Sequence, residues 1–282
     1  MPFQRITVIG LGLIGGSLVK SFRRHMPECK LIGVDSRDIL AAAREYLDEA
    51  FEPENLAAAV RAADLVFLAT PIHTILQQLP AVAPSIRRGA IVTDVGSTKS
   101  LIVENAQKHF FGERYFIGGH PLAGREKGGW ENARADLFEN AAYVLTAQSN
   151  FPAHLFEALT QLLQTLGARV IVLDAATHDR LVADISHLPQ LLAVALMNFI
   201  TRENPAAEPT VELAGSGFRD MTRLAASPFG IWQDIFLSNR ANVRRSLQEF
   251  ILMLQALAHD FNNDELEPHF QRANRLREKL HH

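Results

Sequence analysis

The strongest constraint on the fold lies at the start of the chain. Arg5-Ile6-Thr7-Val8-Ile9 is a β-branched run that leads straight into Gly10-Leu11-Gly12-Leu13-Ile14-Gly15, and a helical pattern follows. The next apolar run, Leu31-Ile32-Gly33-Val34, ends on Asp35. A strand, a glycine-rich turn, a helix and then an acid about 20 residues on form the fingerprint of a dinucleotide site. Gly10 permits the tight turn. Gly12 lets the backbone approach a pyrophosphate, and Gly15 lets helix and sheet pack closely. Around Leu13 and Ile14 the start of the helix offers unpaired N–H groups and a positive dipole end to the phosphates. Asp35 can accept hydrogen bonds from ribose hydroxyls and repels a 2′-phosphate, so the site favours NAD over NADP. Ser36 and Arg37 beside it can still tolerate that phosphate.

Beyond Asp35 the strand and helix patterns keep alternating. Strands are expected at 64–69, 90–95, 115–118, 142–146 and 169–173. Helices are expected at 37–47, 72–83, 100–109 and 152–166. Short continuous apolar strands joined by helices imply a mostly parallel sheet covered on both faces. After about Asp174 the strand signal stops. Leu181, Ile185, Leu188, Leu192, Ala195 and Phe199 mark one helical face. Helices are expected again at 240–259 and 264–280, with a loop at 204–209. The expected fold is therefore α/β: a Rossmann-type, doubly wound sheet over residues 1–174, then an all-α domain over 175–282. The helical part carries more apolar surface than so small a unit can bury alone, so a homodimer through it is expected.

Composition narrows the setting. The chain has 282 residues, a net charge of −3 and one cysteine, Cys29. That charge gives no reason to expect nucleic acid or a membrane surface as a partner. A lone cysteine implies a reducing compartment. The first strand follows the N-terminus too closely for a signal peptide, and no apolar run looks long enough to span a bilayer. These features point to the cytoplasm.

Ligands of open α/β sheets bind outside the carboxyl ends of the strands. Three segments follow strands directly. Thr70-Pro71 runs beside the adenosine end of a cofactor, or simply starts the next helix. In Asp94-Val95-Gly96-Ser97-Thr98-Lys99, Gly96 allows close approach of a ligand. Ser97 either caps a helix or places a hydroxyl near the nicotinamide. Gly118-Gly119-His120-Pro121 suits a side chain held in an open cleft, and an imidazole there suits removal of a hydroxyl proton during hydride transfer.

The helical half adds two polar clusters. His187, in Ser186-His187-Leu188-Pro189, either points into a cleft or is satisfied at a helix junction. In Gly215-Ser216-Gly217-Phe218-Arg219-Asp220-Met221-Thr222-Arg223, Asp220 and Arg223 share a face. Arg223 suits a bidentate carboxylate contact; the plain reading is a surface ion pair. Trp232 either walls a pocket or fills the core.

Together these segments resemble the prephenate/arogenate dehydrogenase family of tyrosine biosynthesis. The resemblance runs through Gly-Leu-Gly-Leu-Ile-Gly-Gly-Ser, Asp-Val-Gly-Ser-Thr-Lys, Gly-Gly-His-Pro-Leu-Ala-Gly, Ser-His-Leu-Pro, Gly-Phe-Arg-Asp-Met-Thr-Arg and Trp-Gln-Asp-Ile-Phe, in order over nearly the whole chain. It implies NAD-dependent oxidative decarboxylation of prephenate, with arogenate as the alternative substrate. It assigns His120 as the base for the ring hydroxyl, Ser97 as the residue that orients that pair, and Arg223 as the holder of a substrate carboxylate. Glu126, His187, Asp220 and Trp232 match residues that line the pocket. Arg125 departs from the small polar residue that many relatives carry. Beside His120 its guanidinium would suit the side-chain carboxylate of prephenate better than the ammonium-bearing arogenate; otherwise it faces solvent. A β-hydroxyacid dehydrogenase shares the layout but resembles its relatives in using a lysine from the second domain. No lysine lies between Lys127 and Lys279. A non-catalytic NAD-binding protein is the remaining alternative.

Overall fold

The structure is a computed structural model that describes residues 3–124, 127–146, 151–202, 212–259, 261 and 263–281. Arg125, Glu126 and the loop expected at 204–209 lie outside them. In chain order the first part runs β1 (Arg5–Ile9), α1 (Leu13–His25), β2 (Lys30–Val34), α2 (Arg37–Ala42), β3 (Glu49–Phe51), α3 (Leu56–Val60), β4 (Leu65–Leu68) and α4 (Ile72–Ser85). It continues with β5 (Ile91–Asp94), α5 (Ser100–Gln107), β6 (Tyr115–Pro121), β7 (Ala142–Thr146), α6 (Ala153–Thr165) and β8 (Arg169–Val172).

The strands form one eight-stranded sheet in the order β3-β2-β1-β4-β5-β6-β7-β8. All neighbours are parallel except β6 and β7. The central strands are buried on both faces, as their unbroken Val/Ile/Leu runs require. One core cluster covers each face of the sheet.

The β1–α1 turn has the geometry its glycines suggest. Gly10 sits at φ +89°. A Cβ on Gly15 would lie 1.8 Å from the Gly10 carbonyl oxygen, whereas one on Gly12 would meet nothing within 4 Å.

Two sheet elements depart from expectation. The short strand β3 carries too little apolar signal to stand out from the helix expected at 37–47, which ends at Ala42. Strand β6 does not stop at Gly118 but runs on through His120, which pairs with Val144 of β7. His120 is therefore buried within the sheet rather than standing in an open cleft. Gly118 and Gly119 serve packing: a Cβ on either would lie 2.3 Å from Thr146 Oγ1 or 2.5 Å from the Asp94 carbonyl oxygen.

Among the described residues helices alone follow β8: α7 (Ala175–Val182), a π-helical turn at Ala183–His187, α8 (Leu188–Thr201), α9 (Ser216–Thr222), α10 (Phe229–Ser238), α11 (Arg240–His259) and α12 (Asn263–Glu278). Asp174 caps α7 by accepting from the Thr177 N–H at 2.8 Å. Of the apolar face expected to be core, Leu188 is buried but most of the rest is not. Ile185 is 66% and Phe199 58% exposed, while His178, Asp179, Val182, Ala183, His187 and Gln190 face inward. The π turn shifts the register between α7 and α8 and helps bring this polar set inward.

The helical run Ala175–Ile200 is, by length and composition, apolar enough to cross a membrane, contrary to the sequence expectation. Its buried face is polar and packs towards the sheet half, while much of its apolar face is exposed. The helical half is tied to the sheet where Asp234 of α10 accepts from the His73 N–H at 3.0 Å and meets His73 Nδ1 at 2.6 Å.

The two glycines of the first turn separate packing from ligand space. Gly15→Ala should cost about 1–3 kcal/mol or more through overpacking and lower the melting temperature. Gly12→Ala should melt like the native chain yet lose dinucleotide affinity, because its Cβ enters space left for the pyrophosphate. Thermal melts and cofactor titration of the two variants check this.

Candidate active site

The end of β5 begins the site. Asp94 and Lys99 are fully buried and bonded to each other. Asp94 also accepts from the Gly96 N–H at 2.8 Å and the Gly119 N–H at 3.2 Å. Burial pushes the Asp94 carboxyl up and the Lys99 ammonium down. The mutual contact and the two backbone donors oppose that shift without cancelling it. One carboxylate thus fixes both the turn after β5 and the stretch of β6 just before His120. A Cβ on Gly96 would lie 2.7 Å from Ile102 Cδ1 and 3.0 Å from Asp94 Oδ2, so the turn packs closely there.

The helical half completes the cluster. Asp179 of α7 accepts from the Lys99 N–H at 2.7 Å and the Ser100 N–H at 2.8 Å, so it caps α5 from across the site. Ser97 and Thr98 do not perform that role. Thr98 Oγ1 instead meets Ser238 Oγ at 2.8 Å. Burial raises the Asp179 carboxyl, but hydrogen bonds from His178, Ser100 and Lys99 outweigh it and leave it below the usual range. His178 Nδ1 lies 2.9 Å from Asp179 Oδ1, and His178 Nε2 lies 2.8 Å from His120 Nδ1. The two imidazoles meet edge to face, with centroids 5.0 Å apart. Burial first, then electrostatic coupling to His178, Lys99 and His187, holds the His120 imidazole well below its ordinary value.

His187 is buried beside this group. Its Nδ1 lies 3.3 Å from Asn239 Nδ2, and Asn239 also donates to the Asp179 carbonyl oxygen at 2.7 Å. Burial lowers the His187 pKa to about 4. Trp232 presents its ring edge-on to His187 at 6.0 Å and stacks on Phe236 at 5.5 Å. His187, expected either in a cleft or at a helix junction, is at a junction.

The other expected residues fall around this centre. Asp35 accepts from the Leu11 N–H at 2.6 Å and the Ser36 N–H at 2.7 Å, which fixes its carboxylate at the end of β2. Arg37 pairs with Glu52 at 3.1 Å on the surface. Thr70 Oγ1 donates to Gln78 Oε1 at 2.9 Å, and Pro71 immediately precedes α4. Ser97 is half-buried, and Asp220 and Arg223 lie on the exposed side of α9 and the turn after it. The structure thus gathers His120, His187 and Trp232 with four residues the sequence reading gave no role: Lys99, His178, Asp179 and Asn239. A His-Asp pair just after the last strand, in the first helix of the second half, was the available signal.

A dinucleotide fits the other end of the site. The first turn of α1 has no side-chain cap to occupy its N–H groups, space is open beyond Gly12, and Asp35 is held at the adjoining strand end. Neutral imidazoles at the end of the same sheet can take a proton from a bound hydroxyl.

Comparison with known proteins agrees on one family. Residues 18–172 match the family model described as prephenate dehydrogenase, nucleotide-binding domain, and residues 174–278 match prephenate dehydrogenase, dimerization domain. The prephenate dehydrogenase of Lactococcus lactis subsp. cremoris is 35% identical, across 98% of this chain and 77% of its own length. The crystal structure of Synechocystis arogenate dehydrogenase is 34% identical, with a TM-score of 0.83 over 98% of this chain and 99% of that one. The Aquifex aeolicus prephenate dehydrogenase complex with hydroxyphenyl propionate and NAD+ is 27% identical, with a TM-score of 0.89 over 99% of each chain.

The depressed histidines set an acid limit on stability. In the folded chain His120 and His187 stay neutral below the ordinary value of 6.5, His187 down to about 4. The unfolded chain therefore binds more protons in that window. Their contribution is complete above pH 6.5 and is lost as pH falls towards 4. Melting temperature should fall over this range, and His187→Asn should flatten the slope.

Proposed function

Because the chain belongs to the prephenate dehydrogenase family, we propose that it converts prephenate to 4-hydroxyphenylpyruvate and carbon dioxide, with NAD as oxidant, in tyrosine biosynthesis. The observation that carries this reading is the buried, neutral His120 at the end of the sheet that bears the dinucleotide turn. Bound NAD supplies the hydride acceptor for the ring carbon that carries the 4-hydroxyl. Gly10, Gly12, Leu13, Ile14 and Gly15 would hold its pyrophosphate and Asp35 its ribose, with Ser36, Arg37, Thr70, Pro71 and Gly96 along its length. The chain's own task is then narrow. His120 takes the hydroxyl proton as the ring carbonyl forms. The ring carboxylate leaves as carbon dioxide, its bonding electrons enter the ring, and the new phenolate oxygen recovers a proton. Aromatisation drives the sequence, so orientation is the main requirement.

The remaining assignments belong to the same proposal. Ser97 orients the His120–hydroxyl pair, and Arg223 holds a substrate carboxylate. Glu126, His187, Asp220 and Trp232 shape the pocket. Arg125 favours the side-chain carboxylate of prephenate. The 34% identity to an arogenate dehydrogenase supports arogenate, or both substrates, as the second reading. The division at residues 174 and 175 separates a cofactor unit from a substrate unit. The second unit pairs two copies of the chain through its exposed apolar residues, Ile185, Phe199, Leu252 and Phe270 among them. The enzyme works in the cytoplasm.

Steady-state reduction of NAD and NADP with prephenate and with arogenate tests the reaction. Prephenate with NAD should be the fastest pair, and His120→Asn should lose about 10²–10⁴ in kcat. Preference for arogenate would keep the chemistry and overturn the role of Arg125. Absence of turnover with every pair would remove the reaction.

Sedimentation at micromolar concentration tests assembly. A dimer is expected, and Phe199→Glu should shift it towards monomer.

A further inference from the structure

Three buried groups in series, Asp179, His178 and His120, admit a narrow set of hydrogen positions. Asp179 receives the Lys99 and Ser100 N–H groups and is held ionised, so it only accepts. The hydrogen in its contact with His178 Nδ1, at 2.9 Å, therefore belongs to His178. The 2.8 Å contact between His178 Nε2 and His120 Nδ1 holds one further hydrogen. Were it on His178, that ring would be a buried imidazolium in contact with His120. Its counter-charge, Asp179, is already engaged by the N-terminus of α5. With the hydrogen on His120 Nδ1, both rings are neutral and both nitrogens of His178 and the Nδ1 of His120 are satisfied.

We infer that His178, backed by Asp179, is a positioning residue that places the single imidazole hydrogen of His120 on Nδ1 and leaves Nε2 as the proton acceptor. The inference rests on the reaction proposed above for its catalytic meaning, but not for the hydrogen placement itself. It also divides the work around His120. Nδ1 is committed to His178, so Ser97 and the substrate hydroxyl have only the Nε2 side to address. When Nε2 takes the proton, the Nδ1–H becomes part of a cation. Its bond to His178 then strengthens, with the Asp179 carboxylate behind it. The arrangement works as the aspartate does in a Ser-His-Asp triad, with a neutral imidazole inserted between carboxylate and base.

The test reads the tautomer directly. The enzyme is labelled with ¹⁵N-histidine, and the His120 ring signals are identified by their loss in His120→Asn. The native spectrum should show the hydrogen of His120 on Nδ1. His178→Leu, which cannot accept that hydrogen, should move it towards Nε2. It should also lower kcat by about 10²-fold or more, with NAD affinity and substrate KM nearly unchanged. His178→Gln, whose side-chain oxygen can accept in place of Nε2, should restore both the tautomer and most of kcat. A hydrogen on Nε2 in the native enzyme overturns the inference. So does a His178→Leu variant with native tautomer and native kcat. The native spectrum alone decides the hydrogen placement, should His178→Leu fail to fold. An Nδ1 hydrogen without turnover of any cyclohexadienyl substrate would uphold the placement and remove the reaction. Turnover with an Nε2 hydrogen would do the reverse.

Discussion

The buried Asp94–Lys99 pair is the interaction on which the site depends. Two unlike charges wholly out of water gain little net stability, because desolvation consumes most of their attraction. Their value here is positional. Asp94 gathers the Gly96 and Gly119 N–H groups, so the turn after β5 and the strand leading to His120 cannot move independently. Lys99 then donates its own backbone N–H to Asp179, which carries the constraint into the helical half. Loss of either charge would leave the other buried alone, typically at about 3–5 kcal/mol. The pair is therefore a registration device between two halves of the chain, and His120, the proposed base, sits at the point it registers.

That long reach explains what the sequence did and did not disclose. The dinucleotide turn was legible because its physics is local: a strand, three glycines, a helix start and an acid at the next strand end all act within 35 residues. The sheet was legible for the same reason, except where local signals compete. The short strand β3 has three residues of mixed burial and offers no periodicity. His120 was found, but its setting was misjudged. The glycines before it were read as opening a cleft, whereas they let β6 pack against Thr146 and Asp94. The His178-Asp179 pair is visible in the sequence, but its contact with His120 is not. His178 lies 58 residues away, and Asp179 caps a helix 79 residues before it. No spacing rule connects them; the fold does.

The helical half shows how periodicity can mislead when burial is shared between intramolecular and intermolecular surfaces. A face of Leu181, Ile185 and Phe199 looks like core by hydrophobicity, yet within one chain it is solvent-facing. The inward face is polar because it carries His178, Asp179 and His187 towards His120, and the π turn at Ala183–His187 helps set that orientation. A helix that spends its inner face on chemistry must hide its apolar face elsewhere. A second copy of the chain is the cover that the family's dimerization region suggests.

The same polar interior accounts for the cost of the base proposed at His120. A histidine able to take a proton at neutral pH must be neutral beforehand, and burial ensures that for His120. Burial alone would leave the ring free to carry its hydrogen on either nitrogen, and one of the two tautomers is useless for proton removal at Nε2. Further buried polar groups are needed to choose between them, and each must itself be satisfied. The series ends only when a charge is reached that the backbone can neutralise, here Asp179 at the start of α5. Stability is given up at low pH and regained as a defined proton position, a trade that suits a reaction in which aromatisation supplies the driving force and geometry supplies the rate.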